Sequence, residues 1–264
     1  MNKKIQKIIS KKNRVKIVCL TAYSKSIAKI LDKYCDIVLV GDSMANVLYG
    51  LTNTHKISLT NMIQHSKSVK LGIKKSLMVV DMPKGTYSNK KNAKKNARLL
   101  KRITGCDAVK IESNKKNFNI ISELVRSNIP VMGHIGYTPQ FNKKFRIEGS
   151  SNIEIKKLLK EAIEIQNAGA FSIVLECIAS KASKLITQKV KIPTIGIGSS
   201  SYCDGQILVT DDMLGLSGFY PKFVKKYANI NRIIEKAVKK YTREVKLKKF
   251  PNNSNYLNGS KLRK

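Results

Sequence analysis

Two kinds of hydrophobic pattern alternate along this chain. Short unbroken apolar runs occupy residues 17–20, 36–41, 76–81, 108–112, 130–134, 171–176, 193–198 and 206–209. Between them lie longer stretches in which apolar residues recur every three or four positions, at 24–33, 59–71, 89–103, up to about 127, 153–168, 179–189 and 231–245. The short runs predict strands buried on both faces, which is the signature of a parallel sheet covered by helices. The longer stretches predict helices with one apolar face. Eight such strands in roughly 210 residues favour a closed (β/α)8 TIM barrel over an open sheet. Residues 137–149 carry neither period and predict a long loop. Residues 252–264 are polar and predict a loose tail. No boundary interrupts the alternation, so residues 1–264 read as one barrel domain.

Composition adds limits to this picture. A chain of 264 residues with 42% hydrophobic and 26% charged residues can bury a full core without staples. Lys and Arg number 51 against 17 Asp and Glu, for a formal charge of +34. Such an excess invites a polyanion partner. However, the lysines are spread over most predicted helices instead of forming one arm or stripe, as in Lys90-Lys91-Asn92 and Lys115-Lys116-Asn117. We therefore expect only non-specific adhesion to nucleic acid at low salt and no specific nucleic-acid partner. The five cysteines, Cys19, Cys35, Cys106, Cys177 and Cys203, are odd in number and lack metal-ligand spacing. Cys19 and Cys177 lie in apolar runs and read as small buried residues. These features suit a reducing cytoplasm. No apolar run approaches the ~20 residues a membrane helix needs, so no membrane partner is expected. Gly196-Ile197-Gly198 lacks the third glycine of a dinucleotide fingerprint.

The acids are placed more selectively than the lysines. In a barrel of this kind chemistry sits at the C-terminal ends of the strands. Val40-Gly41 runs into Asp42-Ser43, Val80 into Asp81, Ile111 into Glu112 and Leu175 into Glu176. Four of only 17 acids thus end strands that open into one mouth. Carboxylates gathered there repel one another unless a cation joins them. Hard oxygen ligands suit Mg²⁺, and the scarcity of His and Cys disfavours zinc. Each acid read singly could instead cap the following helix. Lys110, two positions before Glu112, shares its inward face. It is either a substrate contact or one half of a structural ion pair.

At these residues the chain resembles the ketopantoate hydroxymethyltransferase family, across about residues 15–250. The likeness is carried by Leu20-Thr21-Ala22-Tyr23, Val40-Gly41-Asp42-Ser43, Asp81-Met82-Pro83, Val109-Lys110-Ile111-Glu112 and residues 133–140, which read GHIGYTPQ. Val174-Leu175-Glu176-Cys177, residues 192–198, Cys203-Asp204-Gly205-Gln206 and Pro221-Lys222-Phe223 extend it. The resemblance implies a (β/α)8 barrel, assembled as a homo-oligomer (a decamer), that makes 2-dehydropantoate for pantothenate and coenzyme A synthesis. The one-carbon unit would come from 5,10-methylenetetrahydrofolate and the acceptor would be 3-methyl-2-oxobutanoate. By the same resemblance Asp42, Asp81 and Glu112 would hold Mg²⁺. Asp42, Ser43, Asp81 and Lys110 would contact the oxo acid, and Glu176 would be the base. His134 lies near the implied site, as a site residue or as a structural hydrogen-bonding partner.

Some positions depart from the family pattern. Ala45-Asn46, Lys84, Ser113-Asn114 and Ser199-Ser200 replace its usual residues, and the loop after Gln140 is shorter. These changes bear on the fit of the pterin and leave the ligand set and the base in place. Two rival readings are weighed against this one. A metal-dependent barrel of the isocitrate lyase and phosphoenolpyruvate mutase group would share the acids, but the chain shows no lyase-type loop. A basic binding protein on a decayed barrel would gain nothing from carboxylates clustered in its mouth.

Overall fold

The computed structural model describes residues 2–113, 117–142, 145–218, 220–252 and 254–255. Strands β1 (Ile17–Thr21), β2 (Ile37–Val40), β3 (Leu77–Asp81), β4 (Ala108–Glu112), β5 (Val131–Gly136), β6 (Ser172–Glu176), β7 (Thr194–Ile197) and β8 (Gly205–Leu208) pair in parallel in chain order. The last returns to the first, with Ile17 opposite Gly205, and closes the barrel. Helices α1 (Lys3–Ile9), α2 (Lys25–Leu31), α3 (Met44–Val47), α4 (Leu59–Lys70), α5 (Lys90–Thr104) and α6 (Phe118–Arg126) are followed by α7 (Asn152–Asn167), α8 (Ser180–Lys189), α9 (Thr210–Leu214) and α10 (Ile230–Lys246). The expected loop at 137–149 contains no helix or strand among its described residues. Of the tail, only residues 252, 254 and 255 fall within the described residues. No helix among the described residues is long and apolar enough to cross a membrane.

Strand alternation divides the apolar residues into two cores. Ile37, Leu39, Leu77, Val79 and Ala108 point inward and fill the barrel. Val38, Val40, Met78, Val80, Val109 and Ile111 point outward against the helices. Burying each such aliphatic side chain contributes roughly 1.5–3 kcal/mol. All five cysteines are buried and free.

Helix α1 is absent from the sequence expectation because seven residues rich in lysine show too little period to register. Its Ile5 and Ile8 nevertheless join the inner core and stop the barrel at its N-terminal end. The segment after α1 is fastened there by Asp204. This carboxylate lies 2.7 Å from Lys12 Nζ and accepts from the Asn13 and Thr194 backbone N–H groups at 3.0 and 2.8 Å. These donors hold its pKa below the ordinary aspartate value against the opposing effect of burial.

The C-terminal helix departs from expectation in its packing. None of the α10 residues is buried, and Ile233, Ile234, Val238, Tyr241 and Val245 form an exposed apolar stripe. On the barrel, the outward residues Val18 of β1 and its register partner Gln206 of β8 are exposed as well. The amphipathic pattern of 231–245 was legible in the sequence, but not where its apolar face would go.

Asp204→Ala removes a buried anion and strands Lys12. We expect a loss on the order of 3 kcal/mol, read by urea unfolding at pH 7. The depressed pKa means that this contribution is present above the ordinary aspartate pKa and fades as pH falls through the folded value. The gap between wild type and variant should therefore narrow in acid.

Candidate functional site

Register explains how the acids meet. Asp81 of β3 lies opposite Lys110 of β4, Glu112 lies opposite His134 of β5, and Gly136 lies opposite Glu176 of β6. Partners in a parallel ladder point to the same face, so these side chains form a polar layer above the apolar filling. Asp42 follows β2 past Gly41, and its backbone N–H donates to Asp81 Oδ2 at 3.1 Å. Ser43 Oγ is 2.9 Å from the Tyr23 hydroxyl. All seven residues singled out from the sequence thus reach the same mouth.

The charges there are unbalanced. Lys110 Nζ lies 2.9 Å from Asp81 Oδ1 and 3.3 Å from His134 Nδ1. Burial opposes the lysine charge, but the carboxylates of Asp81, Glu112 and Asp42 outweigh it and raise its pKa above the ordinary value. Burial and the neighbouring lysine push His134 well below its usual range, so its ring is neutral. Lys110 faces Nδ1 on one side of the ring, and Nε2 on the other lies 3.1 Å from Glu176 Oε2 without a well-aligned hydrogen bond. Burial pushes Glu176 up to about 7, with Lys110 acting in the opposite direction. Burial and then Asp81 push Asp42 up to about 7. Burial and then Asp42 raise Glu112 well above its ordinary value. Four acids therefore share one lysine in a largely buried site from which Glu176 reaches partly into solvent.

A cation fits this donor set. Asp81 Oδ1 is buried and receives no well-aligned hydrogen bond, although the lysine is within ion-pair distance. The available donors are hard carboxylate oxygens of the kind Mg²⁺ takes. Among the described residues, no three His, Cys, Asp or Glu side chains stand close enough to form a ready-made metal cluster. Instead, Asp42 and Asp81 are joined through backbone, and Asp42 and Glu112 through Gln140.

Backbone geometry at the rim fixes Glu176. Gly136 has φ +91°, and a Cβ there would collide with the Glu176 carbonyl oxygen, to which Tyr137 N–H donates at 2.9 Å. Cys177, next to Glu176, adopts φ +52°, a left-handed conformation uncommon for a residue with a side chain. Its N–H donates to Ile197 O at 2.9 Å, which ties β6 to β7.

Sequence reasoning passed over Gln140, Tyr87 and the hydroxyl of Tyr23. Gln140 is only 1% exposed, yet it sits in an aperiodic loop where a polar residue reads as solvent-facing. Its sole signal was membership in the 133–140 motif. Lys84 is exposed, with Nζ 3.4 Å from both ring nitrogens of His55. Asn114 and residues 143–144 of the shortened loop lie outside the described residues. Beside the mouth, a cavity of about 490 Å³ is lined by Ser113, Gly136, Thr138, Arg146, Glu148 and Glu161, among others.

The closed parallel barrel and the acids at its C-terminal mouth define an enzyme of the barrel class. Residues 2–253 match the ketopantoate hydroxymethyltransferase family, and the chain belongs to that family. A 3-methyl-2-oxobutanoate hydroxymethyltransferase of Pelagibacter ubique is 52% identical over 251 residues, 95% of this chain and 98% of that protein. One from Anaplasma marginale is 45% identical over 97% of this chain and 94% of its own. Among solved structures, 2,3-dimethylmalate lyase, a PEP mutase/isocitrate lyase superfamily member, superposes with TM-score 0.62 at 13% identity, covering 97% of this chain and 88% of its own. Phosphonopyruvate hydrolase gives 0.63 at 10% identity, covering 92% and 87%. These two likenesses concern the fold alone.

A carboxyl whose folded pKa lies above its ordinary value binds its proton more tightly when folded. Its ionisation therefore costs stability as pH rises toward the folded value, and the full cost is present above it. In metal-free protein at pH 8, Glu176→Gln should be more stable than wild type by on the order of 2 kcal/mol. The difference should vanish near pH 4. Denaturant titration at the two pH values checks this.

Proposed function

We propose that the chain transfers the one-carbon unit of 5,10-methylenetetrahydrofolate to 3-methyl-2-oxobutanoate, giving 2-dehydropantoate, with Mg²⁺ held by Asp42, Asp81 and Glu112. The observation that carries this reading is the separation of labour across the mouth. Glu176 stands on the far side of neutral His134 from the Lys110–Asp81 pair. A base set apart from an acid-and-lysine pocket suits a substrate that is gripped at one end and deprotonated at the other. The family membership and the names of the relatives support the same reaction.

Lys110 binds the substrate carboxylate through its ammonium. Ser43, steadied by Tyr23, and the carboxylates of Asp42 and Asp81 line the same end and orient the oxo acid. Bound Mg²⁺ would supply Lewis acidity that polarises the keto group. Glu176 takes the C3 proton, and its pKa of about 7 matches this task near neutral pH. The His134 ring lies between Glu176 and Lys110 and keeps the base apart from the ammonium. C3, left with the electron pair, forms the bond to the methylene carbon; both C–N bonds of that carbon break, water supplies the hydroxyl oxygen of the product, and tetrahydrofolate leaves with the proton from C3 on one nitrogen and a proton from water on the other. The cavity beside Gly136 is large enough to admit the pterin.

The test follows C3–H exchange into deuterated water by NMR, without folate. Wild type with Mg²⁺ exchanges. Glu176→Gln should lose about 10²–10⁴-fold, and exhaustive chelation should stop exchange until Mg²⁺ is restored. Undiminished exchange by Glu176→Gln removes the base assignment, and undiminished exchange after chelation removes the metal.

We also propose a cytoplasmic homo-oligomer, a decamer by family resemblance, in which the apolar stripe of α10 is covered by another copy. The exposed Ile233, Ile234, Val238 and Tyr241 support it, because a stripe of this size is costly to leave in water. Light scattering should show an oligomer that Ile234→Glu with Val238→Glu dissociates. A monomeric wild type contradicts the proposal.

A further inference from the structure

Gln140 is buried where the ends of β2, β3 and β4 meet the loop after β5, and both N–H protons and the carbonyl oxygen of its amide have partners. Nε2 donates to Asp42 Oδ2 at 2.8 Å and to the Met82 carbonyl at 3.1 Å. Oε1 accepts from the hydroxyl of Tyr87, itself buried. The Gln140 backbone N–H donates to Glu112 Oε2 at 2.9 Å. An amide has two N–H protons and one carbonyl, and each here has its matching partner. Turning the amide over would set its carbonyl oxygen against Asp42 and the Met82 carbonyl and its NH₂ against a hydroxyl. The Met82 carbonyl, which can only accept, sets the observed orientation together with Asp42, and Tyr87 holds it by donating to Oε1.

We propose that Gln140 is a positioning residue for the cation site, held in orientation by Tyr87. Its side-chain NH₂ holds one oxygen of Asp42 and its backbone N–H one oxygen of Glu112, so one uncharged residue bridges the two carboxylates and leaves Asp42 Oδ1 and Glu112 Oε1 for other partners. A residue that carries no charge thereby sets the spacing of two that do. It also ties the loop after β5 to the ends of β2, β3 and β4, so the mouth is held together by a side chain from a segment with no regular structure. The inference rests on the reading of Asp42 and Glu112 as cation ligands.

The experiment measures Mn²⁺ binding to the full-length protein by electron paramagnetic resonance, without substrate, alongside thermal melting. Three variants are compared with wild type: Gln140→Leu, Tyr87→Phe and the double variant. Gln140→Leu keeps the backbone contact to Glu112 and loses the three side-chain bonds. We expect Mn²⁺ affinity to fall at least tenfold in Gln140→Leu and severalfold in Tyr87→Phe. The double variant should be no worse than Gln140→Leu alone, because Tyr87 acts through the amide. Unchanged affinity in folded Gln140→Leu overturns the inference, as do additive losses in the double variant. Should Gln140→Leu fail to fold, Tyr87→Phe decides the matter, since it leaves Gln140 in place: a severalfold loss supports the role and full affinity refutes it. Wild type that binds no Mn²⁺ overturns the cation reading itself and this inference with it.

Discussion

Mutual repulsion of carboxylates in a closed, poorly solvated mouth is the constraint around which this molecule is arranged. Asp42, Asp81, Glu112 and Glu176 face one ammonium, from Lys110, and a histidine that burial keeps neutral. Such a group can lower its energy in two ways. Protons can be retained, and the upward shifts of Asp42, Glu112 and Glu176 record that tendency. A divalent cation can be taken up, which stabilises the ionised forms and releases those protons. The same repulsion that makes the metal-free mouth unfavourable gives it affinity for a cation, and that added charge is what would let the mouth accept a substrate anion.

The barrel tolerates this because its other layers are conventional. The inner apolar core lies directly beneath the polar layer, and α1 stops the barrel at the opposite end. Strand register then places Asp81 opposite Lys110 and Glu112 opposite His134 without any special loop. Where a loop does contribute, at Gln140, it does so through a fully satisfied amide. The rim positions Gly136 and Cys177 occupy backbone conformations that few residues adopt easily, and both adjoin Glu176. Strain concentrated beside a reactive group is consistent with a carboxylate whose direction matters.

Much of this was legible in the chain. The eight apolar runs predicted the eight strands to within a residue or two, because parallel strands buried on both faces leave an unbroken signal. Asp42, Asp81, Glu112 and Glu176 were legible because polar residues that terminate apolar runs are conspicuous in a chain with so few acids. Helix α1 was hidden by its brevity and its lysines. Gln140 was hidden because burial of a polar loop residue depends on four distant partners, none of which is near it in sequence. The packing of α10 was illegible for a related reason: an amphipathic period states that a face must be covered and does not state by what.

The central claim is that one cation sits among Asp42, Asp81 and Glu112 at the barrel mouth. A crystal grown with Mn²⁺ and 3-methyl-2-oxobutanoate, examined by anomalous scattering, tests it most directly. The account predicts one strong manganese peak per chain within coordination distance of the Asp42, Asp81 and Glu112 carboxylates, with the oxo acid beside it and its carboxylate near Lys110. A mouth that holds the oxo acid with no manganese peak, or a peak bound elsewhere on the chain, would contradict it.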